Sequence, residues 1–339
     1  METVPVFIGL DYHMASVQVC VVDGSGKQLV NRKCANDAAA VAAAIGPGRE
    51  PSRVAVESCC GAADLAEELI VQAGWPVSLA HPGYVARMRH NPDKSDFSDA
   101  RMLAELCRVG MVPPVWLAPA WIRDLRMLVR LRADLVGRKR AVKTRILGAL
   151  RAQRAKEPAS ARGRWSRWWL SWLTGEAPLS ADAKFVVRLH LEELAHLDAQ
   201  IRTVESRLAE LTADDPVVKC LRAVKGVGPV TAWAMRALIG RFDRFRNGKQ
   251  LARFCAVTPR NASSGARMAD SGLIRAGDPL LKTVLIEAAQ RLRRFVPRWA
   301  ELSRSMQERG KPVSVIVAAV ANRWVRSMYH ELKEVSAAA

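Results

Sequence analysis

The sequence predicts an α/β domain at the N-terminus, a long basic helical middle, and a mainly α C-terminal domain. Three observations carry this. Short β-branched runs alternate with alanine- and leucine-rich helical stretches at the start of the chain. From about residue 120 the apolar positions take up helical spacing. The charge is divided along the same lines: residues 1–110 carry 10 basic and 13 acidic side chains, and residues 121–170 carry 15 and 3. The expected boundaries are 1–115, 116–213 and 214–339.

The elements follow in order. "VPVFIGLD" is a short apolar run that ends in Asp11. "SVQVCVV" alternates, "DGSG" turns and "KQLVNRKC" returns, which reads as a three-stranded antiparallel meander. "DAAAVAAAIG" is a helix stopped at Gly46, and "RVAVES" is a strand that reaches Glu57. "AADLAEELIVQAG" is a helix closed by Gly74, "PVSLAHP" is another strand, and "DKSDFSDARMLAE" opens a helix that ends near Gly110. The order is βββαβαβα. The alternation in its second half requires parallel strands with crossover helices.

Residues 120–155 form one long basic helix with leucines on a stripe. Residues 156–180 are less regular and hold Trp165, Trp168, Trp169 and Trp172. Residues 181–212 carry Leu194, Leu197, Ile201, Val204, Leu208 and Leu211, a heptad seam that suits a helical hairpin or coiled coil, within one chain or between two. "LRAVKGVGPVTAWAMRALIG" then opens the last domain, and helices over roughly 280–295 and 312–333 close it.

Composition narrows the function. A formal charge of +19 points to a polyanion partner. Arginine outnumbers lysine 39 to 13, which suits bidentate phosphate contacts. Arg123, Arg126, Arg130, Arg138, Lys139, Arg140, Lys143 and Arg145 form the basic stripe expected to meet DNA or RNA backbone. The nearby tryptophans either stack on unpaired bases or pack the hairpin, and packing is the expectation for most of them. The seven cysteines show no CxxC spacing, so neither a zinc site nor a disulfide framework is expected. No apolar run reaches the length of a membrane span and no signal peptide precedes the first strand, so a cytosolic protein is expected.

Four carboxylates stand out. Asp11 and Glu57 end strands, where ligands gather in open α/β sheets. Asp96 and Asp99 lie three apart at a helix entrance and so share a face. As a pair they read equally as a capping box, and the two roles are compatible. If all four converge, their repulsion requires a cation, and oxygen donors suit magnesium or manganese. Acids at the first strand, the fourth strand and the last helix of a βββαβαβα order resemble the RNase H/RuvC-like nuclease fold. Gly226-Val227-Gly228 resembles a helix-hairpin-helix turn, in which backbone amides meet a phosphate; a plain helix–helix turn is the other reading.

The loop "NASSGARMADSG" completes the pattern. "GLD" at 9–11, "VES" at 56–58, "KSDFSDA" at 94–100, "VKGVG" at 224–228, "LARFCAVTPRNASSG" at 251–265 and "LIRAGDPLLKTVLIEAA" at 273–289 together resemble the transposases of insertion-sequence family 110. The resemblance implies a RuvC-like domain whose Asp11, Glu57, Asp96 and Asp99 bind magnesium, a coiled coil, and a C-terminal domain with a reactive serine. By the same resemblance Ser264 is the nucleophile, with Ser263 its rival, and DNA is joined to it transiently while strands exchange. A structured guide RNA and a homo-oligomer, dimer or tetramer, are also implied. Arg260, Arg267 and Arg275 flank the serine loop and suit a scissile phosphate. The chain departs from the family at His13 and Met14, where a lysine is common, at "SCCGAAD", which lacks an aromatic, and at Lys282. A site-specific invertase of the same architecture, a RuvC-like junction nuclease, and a nucleic-acid-binding protein without catalysis are the rival readings.

Overall fold

The computed structural model describes residues 4–88, 95–159, 163–261 and 270–337. The chain divides into two compact units, Met1–Pro119 and Ala120–Ala339.

The first unit is built on a mixed sheet. Its elements are β1 (Val4–His13), β2 (Ser16–Val22), β3 (Gln28–Ala35), α1 (Ala38–Ile45), β4 (Arg49–Glu57), α2 (Ala62–Ala73), β5 (Val77–Ala80), α3 (Pro82–Met88), α4 (Asp96–Arg108) and β6 (Pro114–Val115). The sheet order is β3-β2-β1-β4-β5-β6. β1 runs antiparallel to β2 and parallel to β4. The chain therefore leaves β1 toward one edge and returns on its other side, which makes the β1/β4 boundary the topological switch point. This mixed α/β arrangement fits the RuvC-like expectation. The short α3 and β6 were not foreseen, since seven and two residues carry too little periodicity to read.

Strand parity sorts the core. Val6, Ile8 and Leu10 of β1 pack with Val54 and Val56 of β4 against α1 and α2. On the opposite face Ala55 packs with Leu103 of α4, and Phe7 lies against Ala100 and Ala104. α4 thus covers the face that carries the odd-numbered residues of β1 and β4. It approaches unusually closely at Gly9. A Cβ placed there would collide with the Ala100 carbonyl oxygen and the Ala104 amide, and would lie 2.8 Å from Leu103 Cβ.

The second unit is mainly helical. It comprises α5 (Ala120–Ala152), α6 (Arg167–Gly175), α7 (Ala181–Leu211), α8 (Pro216–Ala223), α9 (Pro229–Ile239), α10 (Gly248–Phe254), the hairpin strands β7 (Pro259–Asn261) and β8 (Asp270–Leu273), α11 (Pro279–Phe295), α12 (Pro297–Glu308) and α13 (Val313–Ala337). α5 and α7 pack along each other. Leu194, Leu197, Ile201, Val204 and Leu208 are buried in this contact's core cluster, whereas Leu211 at the end of the seam is 47% exposed. Trp169 and Trp172 are buried and Trp165 and Trp168 half-buried against the same core. Trp169 donates its indole N–H to Glu157 at 2.9 Å. These tryptophans pack the helical region, as expected for most of them.

One buried ion pair joins three parts of this unit. Arg236 of α9 is 2% exposed and meets Asp215 at 2.7 Å. Asp215 also caps α8 by accepting from the Val218 amide, and the Arg236 guanidinium lies over Trp121 of α5. Removing one member of such a pair strands the other charge away from water. Asp215→Ala should destabilise the second unit by about 3–5 kcal/mol, read from chemical denaturation. Gly9→Ala should cost about 1–3 kcal/mol by overpacking and should lower the melting temperature of the first unit.

Candidate metal centre

The site grows from the carboxyl ends of β1 and β4. Leu10 pairs with Val56, so Asp11 and Glu57 follow at adjacent positions on parallel neighbours. Asp11 shares the face of Gly9, and Glu57 shares the face of Ala55, by the two-residue repeat of a strand. That is the face α4 covers. The first turn of α4 supplies Asp96 and Asp99.

Neither aspartate caps the helix. Ser95 is the N-cap: its hydroxyl accepts from the Ser98 amide at 3.2 Å, and the Ser98 hydroxyl accepts from the Ser95 amide at 3.1 Å. The capping box expected of the two aspartates is thus made by the two serines. Serine is among the best N-caps, and the cap sits one residue before Asp96. Asp96 and Asp99 still gain from the positive end of the helix dipole.

Asp11, His13 and Asp96 each offer one ligand atom, and these atoms lie within 4.8 Å of one another. His13 Nε2 stands 3.2 Å from Asp11 Oδ2 and 3.3 Å from Asp96 Oδ1. Asp99 is buried, at 5% exposure. Burial pushes the Asp11 carboxyl above its ordinary range; His13 opposes this, and the charges of Asp99 and Asp96 add to it. Glu57 and Asp11 both act on the Cys59 thiol, which burial chiefly raises. The donor set is oxygen-rich, with one imidazole, and fits a divalent cation.

His13 was read from sequence only as a departure from the family. Its signal was present: it lies two residues beyond Asp11 on the same strand, and so on the same face.

The other expected site residues lie in the second unit. On α5, Arg126 is half-buried and donates to the Ala237 carbonyl at 2.7 Å. Arg130 pairs with Asp278 at 2.6 Å, Lys139 pairs with Asp198, and Lys143 lies 4.6 Å from the centre of the Trp165 ring. Arg123 is half-buried, while Arg138, Arg140 and Arg145 are exposed. Gly226 adopts a positive φ of 95° between α8 and α9, and Gly228 is the N-cap of α9. Arg291 donates to the Gly226 carbonyl at 2.9 Å and holds the turn. Arg260 is exposed within β7, and Arg275 is exposed two residues after β8. Ser263, Ser264 and Arg267 lie outside the described residues.

Residues 8–153 match the DEDD transposase model of the IS110 type, described as "Transposase". That model implies use of a divalent metal. Residues 218–304 match the model described as "Transposase IS116/IS110/IS902 family". A "Probable family 20 transposase" of Pseudomonas aeruginosa is 29% identical over 286 residues, which cover 82% of this chain and 83% of that protein. The "Transposase for insertion sequence element IS1111A" of Coxiella burnetii is 25% identical over 290 residues, or 85% of this chain and 78% of that protein. The "Transposase for insertion sequence element IS1328" of Yersinia enterocolitica is 25% identical over 293 residues, or 81% and 82%. No described helix is long and apolar enough to cross a membrane. All seven cysteines are free thiols.

The raised Asp11 pKa has a testable sign. The folded state holds this proton more tightly than the unfolded chain does, so this carboxyl increasingly opposes folding as pH rises above the ordinary carboxylate pKa. In metal-free protein, Asp11→Asn should therefore raise the melting temperature at pH 7, and the gain should shrink as pH falls toward 4. Divalent cation should raise the melting temperature of the wild type more than that of the variant.

Proposed function

Because the chain belongs to the IS110 family of insertion-sequence transposases, we propose that it cuts and rejoins the DNA of its own mobile element through metal-held carboxylates and a serine nucleophile. The observation that carries this reading is the meeting of Asp11, Asp96 and His13 at the sheet's switch point, under a helix that also supplies a buried Asp99. Asp11, Glu57, Asp96 and Asp99 would hold magnesium or manganese. Bound there, such an ion would supply charge neutralisation at a scissile phosphate and lower the pKa of an oxygen nucleophile.

The chain's own residues do the rest. Asp11 and Asp96 orient the donor oxygens from two different elements, so the site depends on α4 staying against β1. Ser264 attacks the phosphorus; its oxygen forms a phosphoester bond, its proton leaves to a base, and the bond to the departing DNA oxygen breaks. Reversal of that step by another strand end rejoins DNA and frees the serine. Arg260 and Arg275 neutralise the phosphate as charge builds on it. The exposed Arg138, Arg140 and Arg145 of α5 and the Gly226–Gly228 turn bind backbone phosphates. The family resemblance supports a structured guide RNA and a homo-oligomer. In this reading, 1–115 performs metal chemistry, 116–213 binds nucleic acid, and 214–339 presents the serine.

Two variants test the proposal. The protein is incubated with its element ends, the adjacent non-coding RNA and magnesium, and DNA-linked protein is resolved by denaturing electrophoresis. Ser264→Ala should abolish the adduct; an unchanged adduct removes this serine. Asp96→Asn should lower cleavage by at least a hundredfold while DNA binding stays within about twofold. Retained cleavage would sink the carboxylate site.

A further inference from the structure

Outside the site already described, the second unit carries a groove whose charge is left uncompensated. Arg323, Arg326 and His330 are exposed on α13 at spacings of three and four, and so share a face. Lys249 from the first turn of α10 and Arg298 from the first turn of α12 stand opposite. Together they line an open cavity of about 620 Å³ that, among the described residues, no carboxylate lines. α10 is pressed onto this wall: a Cβ at Gly248 would lie 2.7 Å from the Arg326 carbonyl oxygen.

Other arginines of this unit find carboxylates, as in the pairs Arg130–Asp278, Arg132–Glu205, Arg236–Asp215 and Arg241–Asp243. Among the described residues, Lys249, Arg298, Arg323 and Arg326 have no such pair. Arg298 donates to the Ser327 hydroxyl at 3.4 Å and lies 4.7 Å from the centre of the Trp299 ring, neither of which neutralises its charge. A cleft lined by charges of one sign attracts an anion.

Arg323 and Arg326 also border a second cavity of about 850 Å³, which continues along α13. Its walls are mostly apolar, with Leu273, Ile286, Val315 and Ala318, but Lys311, Ser314 and Asn322 also line it, and it reaches the β7–β8 hairpin at Pro259 and Gly272. The two cavities share Arg323 and Arg326 in their walls, and one is cationic where the other is mostly apolar. A duplex offers only phosphates to such a surface, because its bases are stacked and paired. An unpaired strand offers both phosphates and a base free to leave the stack.

We infer that this groove holds an unpaired stretch of DNA, its phosphates on Arg323, Arg326, Arg298 and Lys249 and one base in the apolar recess. The groove ends at the hairpin between whose strands Ser264 lies in sequence. The choice of DNA over RNA rests on the serine reading above. The groove gives that reading a separate place to hold a strand beside the one being joined.

The test uses the full chain carrying Ser264→Ala, so that no adduct forms. Binding of a ten-nucleotide single-stranded DNA, the matched duplex and the same sequence as RNA is followed by fluorescence anisotropy across a salt series. Arg323→Glu with Arg326→Glu should weaken single-stranded DNA at least tenfold and flatten the salt slope by about 0.7 per lost phosphate contact. Arg323→Lys with Arg326→Lys keeps the charge and should bind within about threefold of the parent. Ala318→Trp fills the recess and should weaken the single strand several-fold while sparing the duplex. Unchanged single-strand affinity in the charge-reversal protein, an equal loss for duplex, or a larger loss for RNA than for DNA would each overturn the inference. A Ser264-dependent adduct alongside groove-independent binding removes the groove and leaves the serine. Groove-dependent binding with no adduct from the Ser264-bearing protein does the reverse.

Discussion

The first unit depends on the contact between the α4 backbone and β1 at Gly9. A strand and a helix normally keep a side-chain layer between them. Here the missing Cβ lets the carbonyl of Ala100 settle onto the strand itself. That approach brings the first turn of α4 down onto the end of β1 and places Asp96 within reach of Asp11 through His13. The repulsion this creates is visible in the raised Asp11 carboxyl, to which Asp99 and Asp96 contribute after burial. Packing on the apolar length of α4 therefore holds together charges that would otherwise separate.

Much of this was legible in the residues. The order βββαβαβα followed from alternating runs and glycine stops, and each long element is present. The acids at strand ends drew attention because position within an α/β sheet has a known meaning. What stayed hidden was hidden for physical reasons. Ser95 and Ser98 took the capping role from the aspartates because capping depends on which residue leaves the helical φ/ψ region, a shift of one position that spacing cannot register. His13 looked like a substitution rather than a participant until strand parity put it beside Asp11. On α5, charge alone did not separate Arg126, spent on the Ala237 carbonyl, from the exposed Arg138. The groove on α13 was not legible at all, since it joins side chains from three helices far apart in sequence.

The helical unit uses arginine in two ways. Arg236 is buried, paired and hydrogen-bonded, and fixes α8, α9 and the start of α5 together. Its solvation cost is repaid only in the finished fold, so it specifies one arrangement of those helices. Elsewhere the same residue type faces outward with nothing to neutralise it. Among the described residues, part of the excess positive charge of the chain is thus a remainder after internal pairing.

The serine cap on α4 has a consequence for the history of such a gene. Helix initiation and the proposed metal ligation fall to different residues in the same turn, so losing one does not entail losing the other. A copy of the element in which an aspartate codon has decayed still encodes a chain with an intact helix start and an unaltered nucleic-acid surface. Inactivation by that route is silent at the level of the fold. Such a copy would yield a folded protein able to occupy the same DNA as its active siblings, and so restrain them.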